Sequence, residues 1–432
     1  MRKALFAVVV LMAGLTAWGG EFKAGAARRD ITPKEPMPMW GYGARHDLPA
    51  EGTKLPLYAK ALVMDCGGRG RIALVGLDLG RGPTYAMTDK IEPAVKARCG
   101  VDYVFAVGSH THHGPVLELL DEPGLGQGKF DYAVRYAQEL PDILIELICE
   151  AAANMTPAKI AFAAEETDLN RNRHTKKEPK VRDPRLTVIR VDDMSGKTLA
   201  VVANLAAHPV TEDIFDRRWS ADWPGYMQKR VEEAVGGSTC LFLQGAAGDM
   251  SPNTNDQRRG TEGFGNAAGD KVAEMLKGME PKVPEKPGLL GVRWNDGGAS
   301  RLDLSNRLVL GTLRQFFFPE LMAMLKEIPD NQVTVRCSAV LINGEIALVG
   351  GSGELFSDLS NQIKARSAVK NTMVVGYCNG HCMYIPTIPA VEEGGYGADS
   401  TVSWVPVGTG ERIVERAVTE IARMAGEAAK GE

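Results

Sequence analysis

The sequence predicts an α/β fold, with layered mixed sheets flanked by helices in a single large domain over residues 21–432. Three observations predict it. Short apolar runs recur along the whole chain and read as strands. Longer stretches with apolar residues at helical spacing lie between them, residues 130–153 most plainly. Their order of strand, helix, strand, helix implies a layered core.

Residues 1–20 read as a signal peptide: Arg2 and Lys3 precede an apolar run from Ala4 to Leu15, and small residues follow around Ala17, Gly19 and Gly20. That run is too short to span a bilayer comfortably, and no later segment reaches the apolar length of a transmembrane helix. With no cysteine near the cleavage region, a lipoprotein anchor is not expected, and the mature protein is expected to be secreted or periplasmic. The composition is that of an ordinary globular chain, 44% hydrophobic and 24% charged with a net charge of -4, and it gives no sign of a nucleic-acid surface. Seven cysteines leave at least one thiol unpaired, and only Cys378 and Cys382 lie close enough in sequence to suggest a bridge.

From the N-terminus, residues 22–34 form a short strand stopped at Pro33, and a loop with Trp40, Gly41, Tyr42, Gly43 and Arg45 follows. Residues 57–65 and 71–79 are two strands joined by the turn Gly67-Gly68-Arg69-Gly70. The second strand delivers Asp78, either a partner for a metal-bound histidine or a helix cap. A helix over residues 85–97 leads to a strand at 103–107, and after a Gly-rich segment, 123–129, comes the helix 130–153. Strands follow at 159–164, 186–191 and 199–206, the first two separated by the charged loop 173–185. Asp222 is the expected N-cap of a helix ending at Gly236-Gly237, with Pro224 in its first turn. Beyond a strand at 239–243 and a helix at 263–279, the Pro-rich residues 281–287 mark a subdomain border. Asn343-Gly344 turns a hairpin of residues 334–342 and 345–349, a strand covers 372–377, and a helix over 410–425 closes the fold.

Chemistry-bearing residues gather just past the apolar strands. In Ser109-His110-Thr111-His112-His113-Gly114-Pro115, side chains two apart in an extended segment face one way, so His110 and His112 can approach one point. His208 repeats the arrangement after residues 199–206, Glu354 follows Gly350-Gly351-Ser352-Gly353, and Tyr384 and His381 compete for a further position. Such a mixed nitrogen and oxygen set suits zinc with an open coordination position. The run Gly248-Asp249-Met250-Ser251 allows a close backbone approach to a ligand, as an oxyanion site requires.

Seven ordered motifs run across nearly the whole mature chain: Ala24-Gly25-Ala26 with Asp30-Ile31-Thr32-Pro33, the His110-Thr111-His112 segment, Asn204 to His208-Pro209, Ser220-Ala221-Asp222-Trp223-Pro224-Gly225, Gly248-Asp249-Met250-Ser251-Pro252-Asn253, Gly353-Glu354-Leu355-Phe356 and Tyr384-Ile385-Pro386-Thr387. In these the chain resembles the neutral, non-lysosomal ceramidase family. The resemblance implies a catalytic domain that is a zinc-dependent amidase acting on the N-acyl bond of ceramide, with one Zn2+ per chain on His110, His208, Glu354 and Tyr384. It also implies His112 as proton carrier, Arg171 as substrate contact and Ser251 as the serine once proposed as nucleophile. With no Gly-x-Ser-x-Gly elbow, a metal-activated water is expected rather than a serine triad. The chain departs from the family pattern at His381, in the Asn-Arg-Asn-Arg-His context of Arg171, and in having no room after its last helix for an immunoglobulin-like domain. The expected partner is a small-molecule or lipid substrate presented at a membrane surface. A hydrolase for a polar N-acyl or ester substrate, or a catalytically silent binding protein on the same fold, are the competing readings.

Overall fold

The computed structural model describes residues 20–430, so the signal peptide expected over residues 1–20 lies outside the described residues except for Gly20. The first half contains β1 (Phe22–Asp30), β2 (Tyr58–Cys66), β3 (Arg71–Leu77), α1 (Tyr85–Cys99), β4 (Tyr103–Gly108), the short strands β5 (Leu120–Pro123) and β6 (Gly126–Gln127), and α2 (Asp131–Ala153). It continues with β7 (Thr156–Glu166), β8 (Asn170–Asn172), β9 (Arg185–Asp193), β10 (Thr198–Leu205), α3 (Asp222–Ala234), β11 (Thr239–Gln244), β12 (Met250–Pro252) and α4 (Gly260–Lys277). The second half holds β13 (Leu289–Ala299), α5 (Arg307–Phe316), β14 (Gln332–Ile342), β15 (Ile346–Gly351), β16 (Glu354–Leu355) and α6 (Ser357–Arg366). It ends with β17 (Asn371–Val375), β18 (Tyr384–Ile385), α7 (Ile388–Glu393) and α8 (Thr409–Lys430).

Two sheets dominate, one of eight strands in the order β11-β10-β9-β7-β1-β2-β3-β4 and one of four in the order β13-β14-β15-β17. Strand alternation gives each sheet two apolar faces, and both are covered. Leu62, Met64, Leu74 and Phe105 of the larger sheet share a core with Val340, Ile342, Leu348 and Met373 of the smaller one. On the far side, Ala61, Val63 and Val75 pack under Leu140, Leu144 and Ile148 of α2, while Val201 and Phe242 pack under Trp223, Met227 and Phe264 of α3 and α4. The smaller sheet is backed by Leu359 and Ile363 of α6 and by Ile413, Ala417 and Ile421 of α8. The architecture is therefore helix, sheet, sheet, helix, and the layered mixed α/β fold expected from the sequence is the one found. Within the eight-stranded sheet, β3 and β11 approach so closely that a Cβ at Gly76 would lie 2.8 Å from the carbonyl oxygen of Phe242.

The sequence reading passed over β13 and α5. β13 has Gly291, Gly297 and Gly298, which confine its apolar alternation to Leu290, Val292 and Trp294, yet it pairs with β14 from Leu289↔Ile342 through to Ala299↔Gln332. Ladder hydrogen bonds hold it, and a pattern search along one strand does not see them. The Pro-rich residues 281–287 connect α4 to β13 and are tied to β7 by reciprocal backbone hydrogen bonds between Ile160 and Lys282 (2.9 and 3.0 Å). The sheets on either side of this segment share one core.

Three side-chain expectations need correction. Asp78 neither caps a helix nor touches a histidine; its carboxylate accepts from the Tyr58 backbone N–H (2.9 Å) and Gln228 Nε2 (3.0 Å), and Thr84 caps α1. Asp222 is the first residue of α3 with φ 52, and its carboxylate accepts from the Glu212 backbone N–H (3.1 Å) and from the backbone and hydroxyl of Thr211, ordering the loop after His208. Cys378 and Cys382 are buried free thiols; the cysteine pair in contact is Cys99 and Cys149, with Sγ atoms 2.8 Å apart.

A buried ion pair joins the halves: the Asp183 carboxylate, just before β9, accepts from Lys364 Nζ of α6 (2.6 Å) and from Arg185 Nε (2.9 Å). Burial works to raise this carboxyl, but Lys364 and Arg185 outweigh it and hold it at about 2, below its ordinary 3.8. Because the folded value is depressed, the pair contributes in full above about pH 4 and is lost as pH falls toward 2. Asp183→Asn is expected to lower stability by about 3 kcal/mol at pH 7, since it strands the Lys364 ammonium. In urea titrations that loss shrinks below pH 4.

Candidate metal centre

Within the two large sheets most strand pairs are antiparallel, but β3 with β4, β10 with β11, and β15 with β17 are parallel. Loops leaving the carboxyl ends of these pairs converge, the usual ligand position in an open α/β sheet. β4 leads to His110 and His112, β10 to His208, β15 to Glu354, and β17 to His381 and Tyr384. The loop backbones are held in unusual conformations: His110, Tyr377, Asn379 and Met383 all have positive φ (70, 54, 55 and 68°). Each costs on the order of 1–3 kcal/mol, and such outliers gather where side chains must be aimed.

Neutral imidazole carries one proton, and the second nitrogen's partner decides which nitrogen has it. His110 Nδ1 lies 2.7 Å from the Gly80 carbonyl oxygen and His208 Nδ1 lies 2.7 Å from that of Ala247. A carbonyl only accepts, so each Nδ1 donates and each Nε2 is left with a bare lone pair. Burial pushes the pKa of both imidazoles down, which keeps them neutral. Their Nε2 atoms face each other at 3.1 Å, with Glu354 Oε2 at 3.5 Å from the first and 3.2 Å from the second. Glu354, buried with His381 Nε2 3.3 Å from its other oxygen, is held well below the usual carboxylate range and so is ionised. Two lone pairs and a carboxylate pointing at one another repel unless positive charge lies among them; Arg173 Nη2, 2.8 Å from His208 Nε2, supplies part of it, while His110 Nε2 has no such donor among the described residues. The donor set therefore fits a metal ion.

Two overlapping groups could hold it: His110, His112 and His208, and His110, Glu354 and His381, the ligand atoms within each group lying within 4.8 Å of one another. His112 Nε2 is 3.3 Å from His110 Nε2, and its buried Nδ1 has no hydrogen-bond partner. His381 Nε2 lies 3.3 Å from Glu354 Oε1, so the carboxylate has His381 on one oxygen and the His110 and His208 lone pairs on the other. Tyr384 stacks on His208 with ring centroids 6.5 Å apart and an interplanar angle of 8°.

The guanidinium at this cluster is that of Arg173, not Arg171. Within β8 the side chains alternate, Asn170 and Asn172 inward and Arg171 out into solvent; past the strand end Arg173 turns back in. Its Nη2 donates to His208 Nε2 (2.8 Å), the Gly248 carbonyl (3.1 Å) and the Tyr384 hydroxyl (3.2 Å). Strand alternation puts Arg171 and Arg173 on one face, so no periodicity in the sequence separates them; the end of β8 after Asn172 does. Ser251 sits in β12 opposite Arg171 and makes no hydrogen bond to a histidine among the described residues; both Nδ1 of His208 and its Nε2 are engaged elsewhere.

The cluster closes one end of a cleft of about 230 Å³ walled by Trp40, Phe317, Leu321, Met324, Ile328 and Trp404. Trp40 presents its edge to His110, His112 and His381, with centroid distances of 5.0, 5.5 and 5.6 Å. Gly41 lies so close that a Cβ would fall 2.5 Å from His112 Cγ. Arg81, buried, donates to Glu118 (3.1 Å) and Glu327 (2.9 Å), and Glu118 in turn accepts from Trp40 Nε1 (3.1 Å), pinning this wall to β3.

The sequence profile described as neutral/alkaline non-lysosomal ceramidase, N-terminal, matches residues 22–286, more than half of the chain. The chain belongs to this family. Neutral ceramidase A of Dictyostelium discoideum is 27% identical over 178 residues, which cover 35% of this chain and 24% of that protein, so the match spans about a quarter of the relative's length. The crystal structure of neutral ceramidase from Pseudomonas aeruginosa superposes with a TM-score of 0.74 at 19% identity, covering 94% of this chain and 75% of that one. A ceramidase solved in complex with C2 superposes at 0.69, with 18% identity, covering 95% and 75%. Both likenesses establish that this family member has the neutral ceramidase fold.

Zinc titration against a chelating competitor checks the donor set. His110→Ala and His208→Ala are expected to abolish stoichiometric binding. His381→Ala is expected to weaken it about 10- to 100-fold, as for a residue that orients a ligand.

Proposed function

We propose that the chain is an exported zinc-dependent amidohydrolase that cleaves the N-acyl amide bond of ceramide or a related N-acyl lipid. The observation that carries this reading is the convergence of proton-free donors at the closed end of an apolar cleft. His110, His208, Glu354 and Tyr384 would hold the zinc, with His381 steadying Glu354 from behind. The mixed nitrogen and oxygen donors suit zinc, which when bound supplies a Lewis acid for the amide carbonyl and lowers the pKa of a water toward neutrality.

The chain's own residues perform the remaining work. His112 is kept neutral by burial, with the neighbouring His110 and His208 adding to the effect, so it can accept a proton from water and pass it to the leaving amine. Arg173 keeps its charge despite burial because Tyr384 and Glu354 lie beside it, and it donates where negative charge develops on the amide oxygen. Ser251, without a histidine to activate it, serves through its backbone at most. The Phe, Leu, Met, Ile and Trp side chains of the cleft wall suit an acyl chain and disfavour a polar N-acyl sugar or peptide. Export rests on the leader read at residues 1–20.

The test is fatty-acid release from a medium-chain ceramide by mass spectrometry, with zinc-loaded and chelator-stripped mature protein in parallel. Release that disappears on stripping and returns with zinc is the expected result; one bound metal with ceramide left intact would reject the substrate. Arg173→Ala is expected to lower kcat about 10²- to 10³-fold, the range for losing an oxyanion donor. Arg171→Ala is expected to leave kcat within about twofold, as for a surface substitution.

A further inference from the structure

Among the described residues, three aromatic side chains are exposed: Phe215 (77%), Phe316 (54%) and Tyr396 (61%). Two of them, Phe316 and Tyr396, line the cleft, and the third, Phe215, adjoins Ile214, which also does. Leu308, the most exposed large apolar residue at 83%, lies on α5, the helix that ends at Phe316. A rim this apolar is the kind of exposed patch that marks an interaction surface.

The charges on α5 indicate what covers it. Its sequence, Arg307-Leu308-Val309-Leu310-Gly311-Thr312-Leu313-Arg314-Gln315-Phe316, has no acidic residue. Arg307 and Arg314, seven apart and so on one side of the helix, are both exposed, and Leu308 is exposed about 100° round the helix from Arg307. Elsewhere on the surface, Lys129 pairs with Asp47 and Glu320, Arg217 with Glu51, and Arg218 with Asp216. Arg307 and Arg314 have no such partner among the described residues. α5 is also firmly mounted, because the 3₁₀ turn Pro319–Glu327 that follows is bent 119° from it and is anchored through Glu327 to Arg81 and to the Tyr85 backbone N–H (2.6 Å). No single helix among the described residues is long and apolar enough to cross a membrane.

We propose that α5 and the aromatic rim dock the cleft mouth on an anionic phospholipid bilayer, with Arg307 and Arg314 on the headgroups and Leu308, Phe316 and Phe215 in the acyl boundary. The proposal rests on the N-acyl-lipid reading of the cleft: a mouth pressed on the bilayer lets an apolar substrate pass into the site without crossing water.

The experiment is co-sedimentation of the full mature protein with phosphatidylcholine vesicles, with and without phosphatidylglycerol, repeated with metal-stripped protein. The expected result is partition onto the anionic vesicles that weakens with salt and does not need the metal. Arg307→Glu with Arg314→Glu is expected to reduce partition about 25-fold or more, roughly fivefold per arginine. Leu308→Ser, which leaves the charges in place, should also reduce it. Both variants should cleave a soluble short-chain N-acyl substrate like the parent. Failure of the parent to bind anionic vesicles, or equal binding by the charge-reversed variant, overturns the proposal. So does a dimer in sedimentation velocity that the same substitutions dissolve, since the rim would then face a second copy of the chain. If the amidase reading fails instead, the soluble substrate stays intact whatever the vesicles show.

Discussion

The site depends on two imidazole protons committed to backbone carbonyls. Gly80 and Ala247 accept from Nδ1 of His110 and His208, and this alone turns both Nε2 lone pairs toward the Glu354 carboxylate. Lone pairs aimed at a carboxylate are unfavourable by themselves, so the surrounding fold must hold them there until a cation compensates. That requirement explains why each donor sits on a short loop at the end of a buried strand, and why several of those loops have left-handed backbone at non-glycine residues.

Buried amides hold the loops in register. Asn379 accepts from the Ala106 backbone N–H (2.9 Å) and donates to the Val104 carbonyl (2.6 Å), joining the loop after β17 to the edge of β4. Gln244 donates to the carbonyls of Ser109 (3.0 Å) and Ala207 (2.9 Å), linking the two histidine loops directly. Asn204 bridges β11 and β17 through Leu243 and Val374. A fully satisfied buried polar network rigidifies because any displacement strands a polar group. The strain at His110 and Tyr377 is sustained by these contacts.

The apolar wall is organised by a charge. Arg81 reaches Glu118 and Glu327, and through them fixes Trp40 on one side of the cleft and the 3₁₀ turn on the other. One buried guanidinium thus sets the spacing between the clustered histidines and the apolar residues of the cleft wall. The same turn holds α5 at the mouth, so the floor and the rim of the cleft share a mechanical connection.

Much was legible in the sequence because it was local. Apolar runs marked the strands, helical spacing marked α2 and α8, and a histidine or glutamate just past a strand marked the ends that converge. Resemblance to a family added Tyr384 as a proposed donor beside them. What failed was non-local: β13 exists through its pairing with β14, Asp78 and Asp222 found partners on distant elements, and Cys99 met Cys149 rather than Cys378 meeting Cys382. Arg171 and Arg173 differ by two positions in one motif, and strand alternation favoured neither until the end of β8 released Arg173 toward His208. The sequence by itself determined the residue types, their strand-end positions and the layered class, since these follow from chain-local periodicity. Only the tertiary structure decided which arginine faces the metal cluster, which nitrogen of each histidine is free and which oxygen of Glu354 meets His381, because those depend on hydrogen-bond partners brought together from opposite sheets.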